Sequence, residues 1–300
     1  MFCQKIVFRG NLTFVFLFSE DQINLLKDVQ PGQFFLDGFH KTPKDFDQSV
    51  TIFAFSHSHH GAFAIAHCLI TGKSEDTYNI MFDEYLTLMD YYDCRDIFDQ
   101  SIITTDFELA LLNSIKTKFP ECRQSGCFFH YVQCQMRNMK AHRLLEQSIR
   151  KNSYQLLTLI NSLCFIDPQK IQSVFKTIMQ KYNMNEYKEY LKYYEKNWIN
   201  GYNIELWNYW NVYNDLKNSF KMTNNILESF HSLLLHLNNH SHQPSLTTFV
   251  SSLIYIESRQ VNDFNKNDHE IFVKVIIFFN FCVRLIDLFY RKKVLWGPTI

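Results

Sequence analysis

Glycine and proline are scarce in this chain, 8 and 6 among 300 residues, which argues against a loop-rich or all-β fold. Neither sign of charge is in excess, since 30 basic and 30 acidic residues cancel. The broad basic surface usual in nucleic-acid binding is therefore missing, and any such role must rest on a local patch. The eight cysteines form no paired framework, which suits a reducing compartment better than a disulfide scaffold. Long uninterrupted apolar runs are lacking too. Residues 12–18 are short, with no small-residue cleavage site after them. Residues 271–290 are interrupted by Lys274, Arg284 and Asp287, so a buried or partner-facing helix is expected there and no membrane span.

Apolar and aromatic residues are plentiful instead, at 46% and 16%, with 29 Phe and 16 Tyr. That is enough for a sizeable core and excludes global disorder. The first half reads as α/β. Residues 5–18 look like one or two strands, and 20–28 have helical spacing with Ser19 placed to cap them. Strands are expected at 33–37, 50–56 and 62–70, then a helix at 75–92. A strand at 101–105, a helix at 107–119, a strand at 123–129 and a basic helix at 131–149 follow. Three antiparallel strands followed by βαβ crossovers match the ribonuclease H-like topology, a mixed sheet flanked by helices.

Residues 152–222 read as all helical, an insertion between that core and a helix at 223–237. The helix carries one apolar stripe of Ile226, Leu227, Phe230, Leu233, Leu234 and Leu237. Further helices are expected at 246–260 and 271–290. The expected organisation is a strand/helix lead-in at 1–32, a ribonuclease H-like core at 33–151 and the helical insertion at 152–222. A core helix at 223–240 and C-terminal helices at 241–300 complete it.

Three carboxylates stand in distinctive contexts. Asp37 lies in Phe34-Phe35-Leu36-Asp37-Gly38 and Asp106 in Ile103-Thr104-Thr105-Asp106-Phe107-Glu108. Glu228 lies in Asn225-Ile226-Leu227-Glu228-Ser229-Phe230-His231. The first two follow β-like runs, and a strand end is a rigid place to hold an acid. Three such acids can bind two Mg²⁺ or Mn²⁺ ions, hard cations that prefer carboxylate oxygen. Paired ions about 3.5–4 Å apart assist both the attacking and the leaving oxygen of a phosphodiester. Asp37, the most rigidly held, would bridge them. Each acid also has a purely structural reading: a turn cap for Asp37, a helix cap for Asp106 and a first-turn helix acid for Glu228.

Other groups are less specific. Cys127 and His130 have the spacing of half a zinc site, with Cys122 and Cys134 near in sequence, but no second tight pair completes four ligands. His57, His59, His60 and His67 read as a polar turn before metal ligands. Arg137, Lys140 and Arg143 form the local basic patch, a DNA contact or a solvated helix face. Trp198, Trp207 and Trp210 read as packing anchors before base-stacking platforms. Arg291-Lys292-Lys293 could be a phosphate contact or an import signal.

Taken together, five fragments in order resemble the MULE (Mutator-like element) transposase domain of eukaryotic DNA transposons. They are Phe18-Ser19-Glu20-Asp21-Gln22, Asp37-Gly38, the Thr104-Thr105-Asp106 run, Gly126-Cys127-Phe128-Phe129-His130, and Trp207-Asn208 followed by the Glu228 run. The resemblance implies DNA cleavage and strand transfer by an Asp-Asp-Glu triad, here Asp37, Asp106 and Glu228. It also implies an accessory role for Cys127 and His130, transposon ends and target DNA as partners, and a place in the nucleus, while a homo-oligomer is left open. Two departures stand out. Phe39 and His40 follow Asp37-Gly38 where the family usually has Thr then Phe, and residues 1–32 hold no zinc-finger pattern. The alternatives are a transposase-derived protein that binds DNA or a partner without cutting, and a ribonuclease H-like nuclease.

Overall fold

The computed structural model describes residues 2–56, 61–146, 150–212, 220–223 and 225–265. Seven strands form one mixed sheet: β1 (Phe2–Arg9), β2 (Leu12–Ser19), β3 (Gln33–Phe39), β4 (Gln48–Ser56), β5 (Gly61–Ile70), β6 (Ile102–Thr105) and β7 (Arg123–Gly126). Their spatial order is β1-β2-β5-β4-β3-β6-β7. The run β5-β4-β3 is antiparallel, while β6 and β7 lie parallel to β3. This is an α/β fold with a ribonuclease H-like arrangement. The lead-in strands β1 and β2 extend the same sheet as a hairpin beyond β5.

Helices cover both faces because the strands are apolar on both. Phe34 and Leu36 of β3 point into one core with α1 (Glu20–Val29), α2 (Glu75–Tyr91) and α3 (Leu109–Lys118). Phe35 and Phe39 point to the other face. There they meet α9 (Asn225–Leu237), which contributes Leu227, Phe230 and Leu234, and α10 (Leu246–Asn265), which contributes Phe249, Leu253 and Ile256. Ser19 caps α1 in a reciprocal box with Gln22, as the sequence suggests.

A third core belongs to the helical segment and is built largely of aromatic rings. It gathers α4 (Phe128–Ala141), α5 (Arg150–Ser162), α6 (Ile171–Lys181), α7 (Asn185–Tyr194) and α8 (Ile204–Trp207). Trp198 and Trp207 are buried in it, while Trp210 is 41% exposed. A π-helical turn at Glu195–Ile199 ends α7 and carries Trp198.

The expected strand at 123–129 stops at Gly126, and α4 begins at Phe128. Phe128 packs on the helical core beside Phe165 and Tyr209, so tertiary contacts override the β-like pattern of that run. The helix expected from Phe107 starts at Leu109. His57, His59, His60, the helix at 271–290 and Arg291-Lys292-Lys293 fall outside the described residues. Among the described residues no helix is long and apolar enough to cross a membrane.

Candidate active site

Strand register brings the two aspartates together. Gln33, Phe34 and Phe35 of β3 pair with Ile102, Ile103 and Thr104 of β6. Asp37 lies two residues beyond that pairing on β3, and Asp106 lies two residues beyond it, directly after β6. On its other side Asp37 pairs with Thr51, and Thr51 with His67. Thr51 Oγ1 and His67 Nδ1 lie 3.1 Å apart, buried beneath Phe230 of α9.

Glu228 reaches the same place from above the sheet. Leu227 and Phe230 anchor α9 to the face that carries Phe35, Asp37 and Phe39. Glu228 sits in the first turn of that helix, and His231 follows it three residues later on the adjoining face. The His231 ring lies over Phe39, centroids 5.0 Å apart. Its Nδ1 is 3.8 Å from Asp37 Oδ2.

The electrostatics record the convergence. The Asp37 carboxyl is pushed up to about 7, first by burial, then by the charge of Asp106, with Glu228 and Glu108 adding to it. A hydrogen bond of 2.9 Å from the Gly38 amide offsets part of this. Burial also raises Glu228 and Glu108, the latter with a further push from Asp106. Burial pulls His231 down to about 4, helped by His40 and His130. His231 is therefore neutral at pH 7, and its approach to Asp37 is not an ion pair.

Asp106 caps the backbone locally: its Oδ1 accepts the Glu108 amide at 3.0 Å. The Glu108 carboxylate accepts the Tyr78 hydroxyl, 3.1 Å to either oxygen, and Tyr78 in turn accepts Gln48 Nε2 at 2.6 Å. Gly38 makes room for this chain. A Cβ there would stand 2.5 Å from Gln48 Oε1.

Of the residues singled out in the sequence, Asp37, Asp106, Glu228 and His130 share one neighbourhood. His130, on the first turn of α4, feels the charge of Asp106, and its buried Nδ1 has no hydrogen-bond partner among the described residues. Cys127 is buried beside Tyr209. Cys122 stands at the other end of β7, bonded to the Phe98 carbonyl, and among the described residues the cysteines do not gather into a zinc set. Arg137 and Lys140 are exposed on α4, with Arg143 exposed just after it; Arg137 is close enough to influence His130.

Glu108, His231, Lys73 and Tyr78 carry no expectation of a site role in the sequence, and His40 stands there only as a departure from the family pattern. The helical spacing of Glu228 and His231 is the one signal in the sequence that could have found any of them.

The donors are hard carboxylate oxygens, and burial, together with the charges of Asp106, Glu228 and Glu108, raises the affinity of Asp37 for protons. Such a set fits Mg²⁺ or Mn²⁺ chemically. Among the described residues, no three Asp, Glu, His or Cys side chains are yet drawn tightly enough to hold an ion.

Residues 33–134 match the MULE transposase domain. The MULE match spans β3 to the middle of α4, so it contains Asp37, Asp106, Cys127 and His130, while Glu228 and the helical segment lie beyond it. No curated protein matches the chain.

Proposed function

We propose that this transposase-related protein cleaves DNA phosphodiesters and transfers the cut strand, with Asp37, Asp106 and Glu228 as its metal-binding acids. The reading is supported by the parallel pairing of β3 with β6, which runs to Phe35 and Thr104 just before the two aspartates, and by the charges of Asp106 and Glu228, both of which raise Asp37. A transposase domain also implies interaction with DNA. When bound, Mg²⁺ or Mn²⁺ supplies Lewis acidity toward the phosphodiester. The chain's own contribution is placement. In this reading the sheet carries Asp37 and Asp106 on neighbouring strands, and α9 brings Glu228 over the face that holds Asp37. Tyr78 and Gln48 hold Glu108 back from the centre. His231 and Phe39 close the apolar side of Asp37.

Cleavage of supercoiled and linear duplex DNA in Mg²⁺ or Mn²⁺ tests the proposal, with Asp106→Asn as the inactive control. Nicking that survives this substitution counts against it. Cleavage of an RNA–DNA hybrid in preference to duplex DNA would point to a ribonuclease H-like nuclease instead. The non-cutting alternative draws on the absence, among the described residues, of three acidic, His or Cys side chains grouped closely enough to hold an ion. Calorimetry of Mg²⁺ binding to the wild type and Asp37→Ala separates it, since a silent descendant would show no difference. Residence in the nucleus belongs to the same proposal, and fluorescence of the tagged full chain in cells tests it.

A further inference from the structure

Near the acidic cluster stands a lysine whose charge acts on Glu108. Lys73 lies between β5 and α2 and is exposed. Among the described residues it forms no ion pair, and its hydrogen-bond partner is His40, with Nζ 3.2 Å from Nδ1. Lysine can only donate, so His40 Nδ1 accepts and the ring is neutral. Burial and the Lys73 charge keep it so. The Asp47 backbone also meets His40 and works the other way, favouring its protonated form, but burial outweighs it. The Asp47 carboxylate also takes the Gly72 amide at 2.5 Å. One residue thus brackets both the histidine and the chain segment that carries the lysine.

The pair faces the acids. Lys73 draws down the proton affinity of Glu108, and His40 feels both Asp106 and Lys73. A lysine held by a neutral ring keeps its whole charge and two further N–H donors for a ligand. A phosphodiester whose scissile bond lay over Asp37 and Asp106 would extend its neighbouring phosphates past this lysine. In a chain with no net charge, single cations placed in this way have to supply the attraction that a basic surface would otherwise give.

We propose that Lys73, oriented by His40, binds a DNA backbone phosphate flanking the scissile bond. The proposal rests on the DNA-cleaving reading above, and its test is separable from that reading.

The test is binding of a labelled 20-base-pair duplex to the full chain in EDTA, titrated over a range of salt, with inorganic phosphate as competitor. Lys73→Ala should lose about tenfold in affinity and flatten the slope of log K against log salt by about 1. Lys73→Arg should keep the slope. His40→Ala should lose affinity yet keep the slope, because the charge remains while its support is gone. Lys118→Ala, whose cation is already paired with Asp83, is the control. Wild-type affinity and slope in Lys73→Ala would overturn the proposal, as would a wild type that binds no duplex at all. Loss of competition by inorganic phosphate without any loss of duplex binding would overturn it too, marking a free-anion site. Cleavage in Mg²⁺ is read separately. A flattened slope without cleavage leaves the phosphate contact standing and removes the nuclease reading, and cleavage with an unchanged slope does the reverse.

Discussion

The Phe107 ring occupies the space where a side chain on Gly126 would begin: a Cβ there would stand 2.3 Å from its Cζ. Phe107 follows Asp106 directly, and Gly126 ends the neighbouring strand β7. The ring is clasped from the far side by Trp198 and Tyr202, centroids 4.9 and 5.4 Å away, and the Tyr202 hydroxyl donates to the Phe107 carbonyl at 3.0 Å. The helical segment therefore grips the loop that holds Asp106. Gly126→Ala should expel the ring, cost about 1–3 kcal/mol by overpacking, and displace Asp106. Urea denaturation reads the first effect and Mg²⁺-dependent cleavage the second. A variant with wild-type stability and cleavage would show that the loop does not depend on this contact.

Asp37 should make stability depend on pH in an unusual direction. Its folded value of about 7 lies above its ordinary 3.8, because burial and neighbouring carboxylates disfavour its charge. Between those values the folded chain keeps a proton that the unfolded chain has lost. The contribution is fully present below pH 3.8 and is lost as pH rises to about 7. Asp37→Asn removes that dependence. The variant should gain on the wild type between pH 5 and pH 8 by on the order of a few kcal/mol. Urea midpoints of both proteins at the two pH values check it, and a constant difference would refute it.

The strands were legible because apolar runs bounded by turn residues state their own period, and the order of strands and helices then implied the topology. Asp37 and Asp106 were legible for the same reason: each sits at a fixed point relative to a strand. The start of α4 was not, because Phe128 and Phe129 look like strand residues until the aromatic core of the helical segment claims them. His40 and Lys73 meet only because the β4–β5 hairpin returns the chain to the end of β3, and no local pattern encodes that meeting. Tyr78 is hidden similarly. It lies on the buried side of α2, where an aromatic residue reads as core, and only its hydroxyl reaches Glu108.

Tyr78→Phe isolates that hydroxyl. The substitution leaves buried Gln48 Nε2 without its acceptor, at a cost of about 1–3 kcal/mol. Replacing both partners, Gln48→Leu with Tyr78→Phe, should recover part of the loss, since no unpaired amide group then remains buried. The Glu108 carboxyl should also move. Its hydrogen bond from Tyr78 favours the charged form, so removing it raises a value already above the ordinary range. Carboxyl NMR titration of Glu108, with urea midpoints for the three variants, tests both consequences. A double variant less stable than the two single losses combined would argue against the network.

Asp106→Asn gives the sharpest test of the cluster because it changes charge with little change of shape. Metal-dependent cleavage should fall by more than about a hundredfold, the loss of several kcal/mol of charge stabilisation. Removing the Asp106 charge should also lower the titration midpoints of its neighbours in the metal-free protein. Asp37 should drop below about 7, and His40 and His130, which that charge favours in their protonated forms, should fall further below their ordinary value. One lost negative charge moves a carboxyl and two imidazoles in the same direction. A general loosening of the fold would act differently: solvent would return to all three, lowering Asp37 but raising the histidines, whose values are depressed chiefly by burial. NMR titration of the three side chains in wild type and variant therefore separates electrostatic coupling from structural damage: histidine midpoints that rise mark damage, and midpoints that stay unchanged would show that Asp106 is not coupled to these groups.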